Sequence, residues 1–129
     1  MRNIKFRAWD KAVKDMVPIK TIDFGKDGAK CAVDFCDING DLTGKNPEWV
    51  LMQYTGMKDK NGVEIYEGDV LFHPLQGRRK VFYPYSETVA SYGLRNIDNG
   101  FGSTLQDSNA VWEVIGNIYE SPELLGWQA

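Results

Sequence analysis

The chain has 129 residues, 43% of them hydrophobic and 26% charged, with a net charge of -3. That length suits one domain whose core needs neither metal nor disulfide support, and so small a net charge argues against a dedicated acidic or basic partner. No apolar run approaches the roughly 18 residues of a membrane span, and Arg2, Lys5, Arg7, Asp10 and Lys11 interrupt the start where a signal peptide would be apolar. The expectation is therefore a cytoplasmic protein without a membrane partner, in which Cys31 and Cys36 stay reduced.

In chain order, Ile4, Phe6 and Ala8 alternate with Lys5, Arg7 and Trp9, the period of a half-buried strand. Met16, Val17 and Ile19 predict a second short strand, with Pro18 marking an edge or a break because it cannot donate to a ladder. Residues 21–24 predict a third, closed by the turn cluster Gly25-Lys26-Asp27-Gly28, and residues 31–35 a fourth. A polar, glycine-rich loop follows over residues 37–47. The chain is read as one domain, 1–129, with sub-modules 1–46 and 47–129 if it divides.

The organising stretch is residues 51–71. Val50, Met52 and Tyr54 alternate with Leu51, Gln53 and Thr55, and Gly56 ends that strand. Lys58-Asp59-Lys60-Asn61-Gly62 finishes on the pair that most readily takes the positive φ angles of a hairpin, so the chain is expected to reverse at Asn61 and Gly62. Val63 and Ile65 restart the apolar rhythm, and Glu67-Gly68-Asp69 makes a charged corner before Val70 and Phe72. A hairpin arm is expected over residues 79–83, a short helix over 86–92 capped by Ser86, and a strand over 110–119 bent at Gly116. Ser121-Pro122-Glu123 predicts a single helical turn.

Short strands between turn clusters, with no amphipathic stretch of helix length, predict a mainly β fold: a small antiparallel sandwich or partly open barrel, SH3-like in its second half.

Three blocks together resemble a known family. They are Gln53-Tyr54-Thr55-Gly56-Met57-Lys58-Asp59-Lys60-Asn61-Gly62 with Ile65-Tyr66-Glu67-Gly68-Asp69, the opening Ile4-Lys5-Phe6-Arg7-Ala8-Trp9-Asp10, and the closing Val114-Ile115-Gly116-Asn117-Ile118-Tyr119-Glu120-Ser121-Pro122-Glu123-Leu124-Leu125. They are similar to the YopX-type proteins, found mostly in bacteriophages and prophages of low-GC Gram-positive bacteria. Met57 stands where that family is expected to favour leucine, a swap of similar volume. The resemblance implies a mainly β, phage-derived protein that assembles with itself, without an established activity. It transfers no catalytic residue.

Chemistry read from the residues adds little. Cys31-x4-Cys36 lacks the spacing and the second pair of a structural zinc site, and His73 stands alone. Asp37, Asn39 and Asp41 begin like a calcium loop, but Leu42 takes the position of the bend glycine. Residues 40–46 approach a phosphate loop with three residues between the glycines instead of four, and Asn46 in place of Ser or Thr. Glu64, Glu67 and Asp69 are read as corner charges rather than acid/base pairs. No metal and no cofactor is expected.

One positive signal remains. Arg78, Arg79 and Lys80, followed by Phe82, Tyr83 and Tyr85, join cations to aromatics as single-stranded nucleic acid binders do; an edge strand guarded by charge would account for the triplet too. Charge is also uneven: residues 1–20 carry six Lys or Arg against two Asp, and after Arg95 there are five acids and no Lys or Arg. The functional expectation is a non-catalytic binding or assembly module acting on itself or on a host or phage protein, with nucleic acid binding through Arg78, Arg79, Lys80, Tyr83 and Tyr85 as the alternative.

Overall fold

The structure, a computed structural model, describes residues 3–83, 92–97, 102–104 and 112–125. They form eleven strands and one 3-10 turn. The strands make two antiparallel sheets, and among the described residues neither sheet closes on itself. No helix among them is long and apolar enough to cross a membrane. The helix expected over 86–92 falls almost wholly outside the described residues; Tyr92 itself is not helical.

The chain divides into two compact units, residues 1–53 and 54–129. The first holds β1 (Phe6–Asp10), β2 (Asp15–Gly25), β3 (Gly28–Asp34), β4 (Asn39–Asp41) and the start of β5 (Trp49–Lys58), in the order β4-β3-β2-β1-β5. Ala8, Ala32 and Trp49 are its buried core, with Val17, Ile19, Ile22 and Leu42 packed around them.

Two expectations are corrected here. The second and third strands are one: β2 runs eleven residues through Pro18, which stands opposite Arg7 in an interior strand. The break comes instead as a register shift between Ile19 and Thr21 that leaves Lys20 over, an irregularity that tolerates a neighbouring proline. The polar loop of residues 37–47 likewise contains a strand, β4. Its Gly40 lies against the Trp49 indole so closely that a Cβ would overlap the ring, a contact that makes a strand residue of a glycine.

The second unit begins within β5, whose far half pairs with β6 (Glu64–Tyr66). Next come β7 (Asp69–His73), β8 (Gly77–Phe82), β9 (Gly93–Asn96), β10 (Gly102–Thr104) and β11 (Glu113–Asn117), in the order β10-β9-β8-β7-β11. Ile65, Leu71, Val81, Tyr92, Leu94 and Trp112 form the core, with Met57 and Val114 against it. The reversal at Asn61 and Gly62 occurs as expected, with Gly62 at φ +82°. The bend in β11 appears as a register shift between Val114 and Gly116. A Cβ at Gly116 would strike Leu124 of the 3-10 turn Pro122–Leu125.

Candidate functional site

The three sequence blocks read above as a motif turn out to be fold devices. Asp59 is buried. Its Oδ1 accepts from the N–H of Asn61 (2.8 Å) and of Val63 (2.9 Å), and its Oδ2 from the N–H of Val114 (2.9 Å), 55 residues on. The next residue's N–H donates to the Trp112 carbonyl at 3.0 Å. One carboxylate thus closes the hairpin and ties it to β11. Burial alone would raise its pKa, but the three N–H donors at Val114, Val63 and Asn61, with the Lys60 charge, outweigh burial and hold it below the ordinary carboxylate value.

Asp69 was read as a hydrated corner charge; it is instead buried, with Oδ2 accepting the Tyr66 N–H at 2.8 Å. The carboxylate thus closes the corner between β6 and β7. Asn117 does the same for the last turn, its Oδ1 accepting from Tyr119 (3.0 Å) and Glu120 (2.8 Å). His73 accepts at Nδ1 from the N–H groups of Leu75 and Gln76, closing the β7–β8 turn, and its ring lies 5.4 Å from that of Trp112.

The loop residues that resembled ion sites are likewise used locally. Asp37 pairs with Lys20 at 2.8 Å, and Asp41 Oδ1 accepts from the backbone and hydroxyl of Thr43, which lowers its pKa. Among the described residues no three His, Cys, Asp or Glu side chains gather as a metal site. Cys31 and Cys36 are free thiols. A cleft of about 450 Å³ lies between Asp10, Lys11, Ile38, Asn46, Glu48 and Trp49. Its polar groups are engaged in closing the loop: Lys11 Nζ donates to Asn46 Oδ1, and Glu48 Oε1 accepts from the Asp41 N–H.

The basic triplet lies on β8, third of five strands and paired on both sides, so an edge strand guarded by charge is not the explanation. Alternation divides the candidate residues. Arg79 shares a face with Val81 and the core, its guanidinium 5.6 Å from the centroid of buried Trp112. Tyr83 continues that side, its ring 5.1 Å from that of Tyr92, and it is 50% exposed. Arg78, Lys80 and Phe82 occupy the opposite face. Tyr85 lies outside the described residues.

Two residues that the linear motif did not include join that opposite face through the register. Arg78 stands across from Phe72 of β7, and Lys80 across from Arg95 of β9. Arg95 lies over the Phe82 ring at 4.9 Å, and Arg78 Nη1 donates to the Leu124 carbonyl at 2.8 Å. The signal for Phe72 and Arg95 is cross-strand pairing, which the sequence does not reveal without the strand order.

The first unit carries a different surface. Thr21 and Val33, Asp23 and Cys31, and Phe24 and Ala29 are register pairs. Val33 and Cys31 alternate with Ala32 and so lie, with Thr21 and Asp23 opposite them, on the side of β3 turned away from the Ile22–Ala32 core pair. Phe24, past the register shift near the end of β2, is 67% exposed, and Phe35 (66%) and Ile38 (56%) follow in the turn after β3. Asp34 holds that turn, its Oδ1 accepting from the N–H groups of Cys36 and Ile38.

These features coincide with a known sequence family. A family model described as YopX protein matches residues 5–126. The chain belongs to the YopX family. Among solved structures, protein EF1440 from Enterococcus faecalis is 28% identical, with a TM-score of 0.64 over 98% of this chain and all of that one. Protein yopX from Bacillus subtilis, 18% identical with a TM-score of 0.61 over the same shares, has the same fold. No curated protein matches this YopX-family chain.

Proposed function

We propose that this YopX-family chain is a non-catalytic binding module of phage or prophage origin, acting in the bacterial cytoplasm by assembling with copies of itself. The observation that carries the reading is a set of large apolar side chains left exposed in the first unit, Phe24 at the end of β2 and Phe35 and Ile38 together in the turn after β3. Phe35 and Ile38 share the one turn that Asp34 holds, and large apolar side chains gathered in the open mark an interaction site. The motif carboxylates support the non-catalytic part, because both oxygens of Asp59 and Oδ2 of Asp69 accept from backbone N–H groups.

Light scattering at micromolar concentration tests the assembly. The expected mass is a dimer or larger, returning to 14.6 kDa when Phe24 and Phe35 are both changed to serine. A wild-type chain that stays strictly monomeric contradicts the reading.

A further inference from the structure

We propose that the face of β7, β8 and β9 bearing Phe72, Arg78, Lys80, Phe82 and Arg95 binds single-stranded nucleic acid. The site belongs entirely to the second unit.

The register places three cations and two aromatic rings on one side of three adjacent strands. Lys80 and Arg95 stand directly opposite each other, a pairing of like charges that an anion lying over both would relieve. Phe72 is 37% exposed, and Arg95 is exposed above the half-buried Phe82. Phe72 and the Arg95–Phe82 pair are separated along the strands by about 13 Å, four residues at the usual rise, which gives two stacking positions, the second on the guanidinium plane that covers Phe82. Glu113, opposite Phe72, bounds the face on the β11 side, and the Leu124 carbonyl fixes the Arg78 guanidinium at that end.

A phosphate backbone answers the cations, and unstacked bases answer the rings. A double helix offers phosphates but hides its base faces, so a single strand fits better. An acidic peptide would match the charge but leave the two rings unused. The site differs from the linear motif in a testable way. Arg79 and Tyr83 belong to the Trp112 and Tyr92 side and take no part.

The probe is a fluorescein-labelled 20-nucleotide oligo(dT), titrated by anisotropy against the full chain at several salt concentrations. The expected wild-type result is binding that weakens as salt rises. Arg95→Gln, at an exposed position, and Lys80→Gln each reduce affinity about three- to tenfold and lower the log–log salt slope by about 0.7. Phe72→Leu, at the exposed ring, reduces affinity with the slope unchanged, because stacking releases no counterions. Tyr83→Ala leaves both unchanged. Equal or tighter binding of a duplex of the same length overturns the proposal. So does an absence of binding at about 50 mM salt, or an Arg95→Gln chain that melts like the wild type and binds like it.

Discussion

Replacing Asp59 with alanine lowers stability by about 3 kcal/mol, because two hairpin N–H groups and the Val114 N–H lose a charged acceptor together. For a chain of this length that corresponds to a fall of roughly 12 °C in the thermal midpoint. Asp59→Asn costs about half as much. Its carbonyl still accepts from Asn61 and Val63, but its amide turns a donor toward the Val114 N–H. Acid supplies the matching test. The Asp59 pKa lies below its ordinary value of 3.8 in the folded chain, so its contribution is complete above the unfolded pKa and disappears as pH falls through the lower, folded one. Wild-type chain therefore loses stability below about pH 4 through this group, and the alanine variant lacks that share of the acid dependence. Parallel acid profiles of the two proteins, or a midpoint shift under 2 °C, would show that the carboxylate is not the clamp described.

The second large effect is at Gly40. Any side chain there meets Trp49, whose indole occupies the space a Cβ would need. Because Trp49 is itself buried in the core of the first unit, neither partner can yield cheaply, and Gly40→Ala costs about 3 kcal/mol. Trp49→Ala alone costs about 4 kcal/mol through the cavity it leaves. Made together they cost clearly less than the sum, since each change removes the reason for the other's penalty. Hydrogen exchange in Gly40→Ala is expected to accelerate at β3 and β4, where Ala32 pairs with Gly40. Strict additivity in denaturant unfolding would contradict the contact.

What the sequence reveals of this fold follows the reach of each interaction. Turns written by neighbouring residues were legible: Asn61-Gly62 reverses the chain, Gly116 breaks the register of β11, and Ser121-Pro122 starts the last turn. Interactions across long separations were not. Asp59 reads as a hydrated turn residue until Val114 is known to lie beside it, and Gly40 reads as loop because the ring that selects it is nine positions away. Pro18 misled for a related reason: a proline marks an edge only when nothing else interrupts the ladder, and a register shift nearby makes an interior strand tolerable.

The candidate site shows the same division. A period of two predicts that Arg79 parts from Arg78 and Lys80, but it does not say which side meets Trp112. That depends on β11 pairing with β7, some 40 residues earlier, and Arg95 enters only because β9 follows β8 in the sheet. The motif blocks were recognisable because they are long, yet the residues in them serve folding. The surfaces proposed for binding, around Phe24, Phe35 and Ile38 and across β7 to β9, lie partly or wholly outside the blocks.

That separation of folding residues from binding surfaces is the central claim, and the Asp59→Asn chain tests it most directly. Its melting midpoint and its light-scattering mass are measured side by side with wild type at 20 °C. The account predicts a midpoint several degrees lower and an unchanged assembly mass, because the carboxylate holds the hairpin to β11 and touches no partner. An unchanged midpoint with the assembly lost would make Asp59 a binding residue and contradict the account.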